Sequence, residues 1–309
     1  MAERTDEPMD ESVTLDGHEI ELSSLDKILF PEAGLTKGDL IAYCRRIADV
    51  ALPHYRDRPL SMQRFPDGIA AEGFFQKQAP DYFPHWIERV ELAKQDGTVS
   101  YIVANSAATL VYLANQGCIT HHLSLARRDE PERPDRLIFD LDPTDDDFAK
   151  VQAAATSLKT LLDELDLPSF VMTTGSRGLH VAVALDRSAG FDEARAFAGD
   201  LARCLARREP GALTVEQRKN KRGDKLFLDT LRNAYGQTAV APYAVRAIEG
   251  APVATPLRWD EVGAGDLTAR SYTIENIFRR LAQIEDPWSD IARRGCSIAA
   301  ARRRLAKLA

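Results

Sequence analysis

Three observations predict an α+β (mixed α/β) fold for this sequence. From Arg136 onward, short β-prone runs alternate with amphipathic helices, with no internal repeat and no coiled-coil heptad. Before that point, a helix-rich segment and a stretch mixing Pro, Gly and aromatics describe a separate N-terminal α/β lobe. The 309 residues, 44 % hydrophobic and 28 % charged, have a globular balance, with length for two ordinary domains or one large domain with an added lobe.

The elements follow in order. Residues 1–22 read as a mobile acidic lead-in. Residues 1–26 hold nine acids against Arg4 alone, a charge of −8, which leaves +1 for residues 27–309 out of the overall −7. A helix is predicted from Thr36, whose hydroxyl can cap free amides, with Asp39 in its first turn. Leu40, Ile41, Cys44, Ile47 and Val50–Ala51 form its buried stripe, and Pro53 closes it. Residues 57–84 (Arg58-Pro59, Phe65-Pro66-Asp67-Gly68, Phe74-Phe75, Tyr82-Phe83-Pro84) predict short strands and turns. A strand over 99–103 and a helix over 106–116 complete a lobe spanning about 23–130. The second lobe, about 131–290, opens on the β-prone run 137–142, ended by Pro143. A helix follows with Phe148, Val151, Ala155, Leu158, Leu161–Leu162 and Leu165 on one face. Strands are predicted at 169–173, 179–183, 225–228 and 240–245, with a helix over 191–208. Residues 291–309 predict a basic helix, its arginines on the polar face.

Several classes are excluded. No apolar run approaches the ~20 residues of a membrane helix. The N-terminus lacks the basic-then-apolar order of a secretory signal. Cys44, Cys118, Cys204 and Cys296 are widely spaced, which predicts free cytosolic thiols and argues against a disulfide framework or a zinc site. A cytoplasmic location with no membrane partner is expected. The charge is uneven: acids gather near 140–147, and Arg218, Lys219, Lys221, Arg222 and Lys225 form a basic group. On charge alone both read as solvated faces; together they also suit metal at one place and phosphates at another.

The sharpest motif is Phe139-Asp140-Leu141-Asp142-Pro143. Residues two apart on a strand share a face, so both carboxylates aim one way while Leu141 turns to the core. Like charges so placed repel unless a cation or a proton relieves them, and hard oxygen donors suit magnesium or manganese. Plain solvation at a strand end is the bland alternative. Asp229 ends another apolar run, and if the two strands are neighbours, three carboxylates meet at one sheet edge. That arrangement can hold two divalent ions, orient a triphosphate and activate a hydroxyl. Thr174-Gly175-Ser176-Arg177-Gly178-Leu179-His180 is a glycine-rich hairpin whose amides and guanidinium suit phosphate; an ordinary tight turn is the alternative. His121, His122 and His180 are phosphate contacts or core histidines. Phe74-Phe75-Gln76-Lys77 offers one ring to a base and one to the core. Lys27 and Lys37 suit phosphate or simple exposure.

With these blocks in order, the chain resembles the polymerase domain of bacterial ligase D, the end-joining branch of the archaeo-eukaryotic primase superfamily. The resemblance runs from Leu25-Asp26-Lys27-Ile28-Leu29-Phe30-Pro31 through Thr36-Lys37-Gly38-Asp39, Arg58-Pro59 and Phe74-Phe75-Gln76-Lys77. It continues through the 139–143 and 174–180 motifs, Phe227-Leu228-Asp229 with Leu231-Arg232-Asn233, Ala241-Pro242-Tyr243 with Arg246, and Thr255-Pro256-Leu257. It implies a primase-like catalytic core, central sheets flanked by helices, over roughly 23–290. It further implies two divalent ions, Mn²⁺ or Mg²⁺, on Asp140, Asp142 and Asp229. Nucleotide contacts are implied at His122, Thr174, Ser176, Arg177, His180 and Arg246, with Arg222 and Arg232 nearby. The implied downstream 5′-phosphate contacts are Lys27 and Lys37, and the template or gap contacts are Arg64, Phe74, Phe75 and Lys77. Arg177 stands where relatives often have Lys. The implied partners are gapped or broken DNA, NTP or dNTP and, by family alone, Ku and a DNA ligase, which fits a nucleoid association.

Two rivals come from other classes. Asp140-Leu141-Asp142-Pro143-Thr144 also resembles the D-x-D-x-T start of haloacid-dehalogenase-type phosphatases, whose first Asp is a nucleophile. That motif normally opens its fold; here ~135 residues precede it, and no later acidic pair follows. The other rival is a non-catalytic module that reads a 5′-phosphate at DNA ends.

Overall fold

A computed structural model describes residues 11–94, 96–143, 145 and 147–308. The first element is a hairpin, β1 (Ser12–Leu15) and β2 (His18–Glu21), turned on Asp16-Gly17 with φ of 50° and 78°. Positive φ at both central residues is what an Asp-Gly hairpin turn supplies. The expected lead-in over 1–22 is therefore folded from Ser12 onward. Its alternating Val13, Leu15, Ile20 and Leu22 pack on the core despite the acids between them, and His18 stacks on Trp86 at 4.4 Å. Residues 1–10 lie outside the described residues.

A short pair, β3 (Ile28–Phe30) and β4 (Leu35–Thr36), leads into α1 (Lys37–Tyr55). Thr36 caps α1 as predicted: its hydroxyl accepts the Asp39 N–H at 3.2 Å, and the Asp39 carboxylate returns to the Thr36 N–H at 2.8 Å. Pro53 does not end the helix. It sits in the last turn, where it forfeits a single helical hydrogen bond, and the Arg56 N–H still closes on the Leu52 carbonyl at 2.9 Å. The chain continues through β5 (Pro59–Arg64), β6 (Phe74–Gln76), β7 (Arg89–Lys94), β8 (Gly97–Val103), α2 (Ala107–Asn115) and β9 (Cys118–Ser124). Next come β10 (Arg136–Asp142), α3 (Phe148–Glu164), β11 (Ser169–Thr173), β12 (Leu179–Ala184), α4 (Phe191–Arg208), β13 (Leu213–Thr214) and β14 (Leu226–Asp229). The last elements are β15 (Thr238–Val240), β16 (Pro256–Leu257), α5 (Ile277–Leu281) and α6 (Ile298–Leu308).

The strand expected over 240–245 stops at Val240. Pro242 has no N–H to give a ladder, and Tyr243 takes φ 65°. The basic helix expected from 291 begins at Ile298, after a short 3-10 turn at Ile291–Arg293. It docks by Ile298, Ala301 and Leu305, while Arg302 pairs with Glu193 at 3.1 Å and Arg304 with Asp166 at 2.8 Å. Those arginines are the solvated face of a docked helix.

Two sheets organise the molecule. One runs β15-β9-β5-β8-β7, with β6 added on β5; the other runs β13-β14-β10-β12-β11-β16. Through β15, a C-terminal segment completes the sheet of the N-terminal lobe. Along β10, Leu137, Phe139 and Leu141 face one way, into a core with α3, α4 and α6. Ile138, with Ala182 and Met172 from the neighbouring strands, faces the other way, into the core shared with α1, α2, β5 and β9. Each fully buried Leu or Phe stabilises this sandwich by about 1.5–3 kcal/mol. Asp140 and Asp142 continue the second face to the end of the strand, where the apolar filling stops and a cleft opens. All four cysteines are free, and no helix among the described residues is long and apolar enough to cross a membrane.

Candidate active site

Strand register assembles the centre. Asp140 lies directly opposite His180 on β12 and opposite Asp229 on β14. Directly opposed residues share a face, so Asp140, Asp142, His180 and Asp229 are set on one side. The last of these could not be placed there from sequence. His180 Nε2 lies 3.5 Å and Arg232 Nε 4.0 Å from the Asp140 carboxylate, while Arg177 donates to Asp142 at 2.5 Å. Asp229 accepts the Leu231 N–H at 2.7 Å.

The electrostatics separate the three acids. Burial pushes Asp140 upward, but His180, Arg232 and Arg246 outweigh it and hold its carboxyl below the ordinary value. Burial raises Asp142, with the Asp140 charge adding to the rise against the pull of Arg177. Burial likewise raises Asp229, and Asp140 again adds to it. Two carboxyls raised mainly by burial stand beside a third held down by cations, so one group of arginines serves three acids that also repel one another.

The turn above it depends on two glycines. Gly175 takes φ 65°, and a Cβ on Gly178 would stand 2.0 Å from the Leu141 carbonyl oxygen, so only glycine lets the turn lie on the end of β10. The Thr174 hydroxyl accepts the Gly178 N–H at 3.2 Å and the Ser176 N–H at 3.3 Å. Arg246 donates to the Thr174 carbonyl at 2.7 Å. The resulting cleft of about 170 Å³ is lined by His122, Asp140, Asp142, Thr174, Ser176, Arg177, His180, Arg232 and Arg246, with Thr238, Ala239 and Val240 of β15. His122 is held neutral: burial first, then Arg246, Arg232 and His180, lower its pKa to about 3, and its buried Nε2 has no hydrogen-bond partner among the described residues.

Arg222 is not on that lining. Its Nε and one terminal nitrogen donate to the Glu216 and Gln217 carbonyls, and its guanidinium lies 4.0 Å from the Phe227 ring centroid. Sequence reasoning missed Arg270, whose Nε donates to the Ser176 carbonyl at 2.8 Å and which sits in no motif. Lys219, one of the basic group at 218–225, bears with its charge on Asp142. Asn233, given no role from sequence, exchanges hydrogen bonds with both backbone groups of Ile138 (2.8 and 2.6 Å) and so ties the Arg232 loop to β10.

The aromatic pair sits on β6 at the sheet edge. Phe74 is 46 % and Phe75 63 % exposed, and the Phe75 ring meets His122 edge-on at 5.4 Å. The two rings are therefore both outside the core, against the expectation of one in and one out. Arg64 is buried, its donors directed to the Gln116 carbonyl, Gln76 and Tyr82. Lys77 donates to the Gly236 carbonyl at 2.9 Å.

Lys27 and Lys37 meet elsewhere, at the start of α1, where the Lys37 N–H bonds the Lys27 carbonyl at 2.8 Å. Lys27 pairs with Asp67 at 3.1 Å. Lys37 is buried, touching the Ser23 hydroxyl and the Asn115 carbonyl, with its pKa lowered by burial and by Lys27.

The donor set suits a hard divalent cation: carboxylate oxygens on rigid strands. Among the described residues no three His, Cys, Asp or Glu side chains are gathered into a finished cage. Asp142 is turned to Arg177, and Asp229 to its own loop. The register sets the three acids on one side, and Asp142 is engaged by Arg177. Thr144 and Asp146 lie outside the described residues.

A family model described as LigD, primase-polymerase domain, matches residues 36–288. The multifunctional non-homologous end joining protein LigD of Pseudomonas aeruginosa is 36 % identical over 288 residues, covering 92 % of this chain and 34 % of its own length. The bifunctional LigD of Bacillus subtilis is 34 % identical over 276 residues, covering 89 % and 44 %. This chain thus spans less than half the length of these curated relatives. A solved structure, the polymerase domain of Mycobacterium tuberculosis ligase D in complex with DNA, is similar at a TM-score of 0.84 and 30 % identity. That match covers 90 % of this chain and 99 % of the other.

Proposed function

The chain belongs to the LigD primase-polymerase domain family, and on that premise we propose that it is a template-dependent nucleotidyltransferase. It would extend a primer 3′-hydroxyl at gaps and broken DNA ends. The observation that carries this reading is the opposition of Asp140 and Asp229 beneath an arginine-lined turn. Phosphatase chemistry on Asp140 gains no support from the family, and a module that only binds ends would have no use for an acidic centre facing DNA.

Asp140, Asp142 and Asp229 would hold two divalent ions, manganese or magnesium, which supply charge neutralisation and lower the pKa of an attacking hydroxyl when bound. Arg246 and Arg232 meet the triphosphate from the cleft wall. Arg177 joins them once released from Asp142, placing charge where it develops as pyrophosphate departs. The Thr174 hydroxyl keeps the amides of the turn ordered for that contact. His122, neutral and on the cleft wall, suits a hydroxyl better than a phosphate, which fits a preference for ribonucleotides. Phe75 beside it offers an exposed ring to a template base. Phe74 and Tyr82 are held from behind by Arg64, which supports the platform from within. Lys27 and Lys37 suit a downstream 5′-phosphate, since a buried lysine beside another cation gains from an added anion. Ku and a DNA ligase remain the partners the family suggests, in a nucleoid setting.

Extension of a labelled primer on gapped, 5′-phosphorylated DNA tests the reading, comparing rNTP with dNTP and manganese with magnesium. We expect addition templated by the gap. Binding of the gap without any addition under all four conditions would favour the end-binding module instead.

A further inference from the structure

We propose that Arg270 is a second arginine clamp on the polyphosphate tail of the incoming nucleotide. This assignment rests on the nucleotidyl-transfer reading above and adds a residue to it. Two arginines from separate segments grip the same turn. Arg246 donates to the Thr174 carbonyl at 2.7 Å and Arg270 to the Ser176 carbonyl at 2.8 Å, so they bracket Thr174–Ser176 from opposite ends.

Arg270 is attached by Nε alone. Among the described residues its two terminal nitrogens have no hydrogen-bond or ion-pair partner, and the side chain is exposed. A guanidinium fixed at Nε with its terminal nitrogens free presents a planar fork, the geometry that grips phosphate oxygens in pairs. Its backbone is fixed as well. The Arg270 N–H donates to the Thr268 hydroxyl at 3.2 Å, and the Thr268 N–H to the Ser271 hydroxyl at 2.8 Å. Burial first, then Arg232 and Arg270, lower the pKa of Arg246 against the pull of Asp140 and Asp142. Like charges brought together over one turn are relieved by an anion between them.

The position selects the part of the nucleotide. Arg177 and Arg232 contact the carboxylates, whereas Arg270 contacts only the turn, at Ser176, and stands beside the cleft lining, not on it. It therefore serves the phosphates farthest from the reacting centre, those that leave as pyrophosphate.

The test compares the parent chain, Arg270→Ala and Arg270→Lys by equilibrium binding of the same nucleoside as its mono-, di- and triphosphate, with divalent metal and gapped DNA. Inorganic pyrophosphate serves as a competitor. The clamp predicts about a tenfold loss for the triphosphate in the Ala variant, a similar weakening of pyrophosphate and no loss for the monophosphate; Lys restores part of it. Unchanged triphosphate binding, or equal loss for all three nucleotides, overturns the assignment. Primer extension run beside it keeps the two claims apart. A parent that extends primers, with an unaffected Arg270→Ala, sinks only the clamp, whereas a parent that neither extends primers nor binds triphosphate sinks both.

Discussion

The two ends of β10 carry charge in opposite ways. At its start, Asp135 just before the strand accepts from Arg58 at 2.6 Å and from Arg127 at 2.9 Å. Burial alone would raise its carboxyl, but those arginines hold it well below the ordinary range. Arg136 beside it is buried over the Trp288 ring, its pKa lowered to about 9 chiefly by burial. Four residues on, along the same face, Asp140 and Asp142 stand with Asp229, and two of the three carboxyls are raised, first by burial and then by Asp140. Arginines answer acids at both ends, but at the start one buried acid has two arginines to itself, whereas at the far end three acids share theirs and Asp140 raises the other two. That crowding of carboxylates marks the working end of the strand.

Substitutions can break that contrast. Asp140→Ala should reduce nucleotide addition on the order of a thousandfold or more while leaving DNA affinity and thermal melting near the parent's; undiminished addition by the purified variant refutes the site. Asp135→Ala should do the reverse. By stranding the buried Arg58 it should cost about 3 kcal/mol in chemical denaturation, with activity per folded molecule retained. Gly178→Ala should act on both, since its Cβ meets the Leu141 carbonyl. We expect about 2 kcal/mol of destabilisation together with loss of addition.

Smaller effects sharpen the comparison. Lys27→Ala should lose roughly tenfold in affinity for a gap with a 5′-phosphate and nothing for one without, measured by anisotropy at fixed salt. Equal loss on both would make Lys27 a general DNA contact. Asp229→Asn should stabilise the metal-free chain at pH 7 by a few tenths to about 1 kcal/mol after solvent screening, while abolishing addition. The sign follows from the raised Asp229 carboxyl. Its ionised form is disfavoured in the fold, so its cost appears as pH rises above the ordinary carboxylate value and vanishes below it. Asp135 has the opposite sign, stabilising above that value and failing as acid is added. Melting curves of the parent and both variants across pH 3–7 distinguish the two.

Much of this was legible in the chain because it is local. The alternation of Leu137, Phe139 and Leu141 with Asp140 and Asp142 states a strand with two acids on one face. Thr36 and Asp39 state a helix start, and Gly175 and Gly178 state a turn. What stayed hidden depends on distant partners. That Asp229 stands opposite Asp140 is a matter of register between strands some ninety residues apart. Lys37 reads as a surface lysine until Ser23 and Asn115 close over it. Arg64 reads as a free cation, though the Gln116 carbonyl from another segment binds it. Arg270 belongs to no motif; only folding brings it to Ser176. The hairpin at 12–21 was obscured because its acids, on the outward positions, dominate the composition.

The most direct test is anomalous diffraction from crystals of the parent chain grown with manganese and a non-hydrolysable nucleoside triphosphate. The account predicts anomalous peaks within coordination distance of the Asp140 and Asp142 carboxylates, with Asp229 reaching one of them and Arg177 swung from Asp142 to phosphate. Crystals showing the nucleotide bound but no manganese at these carboxylates, with Arg177 still on Asp142, would contradict it.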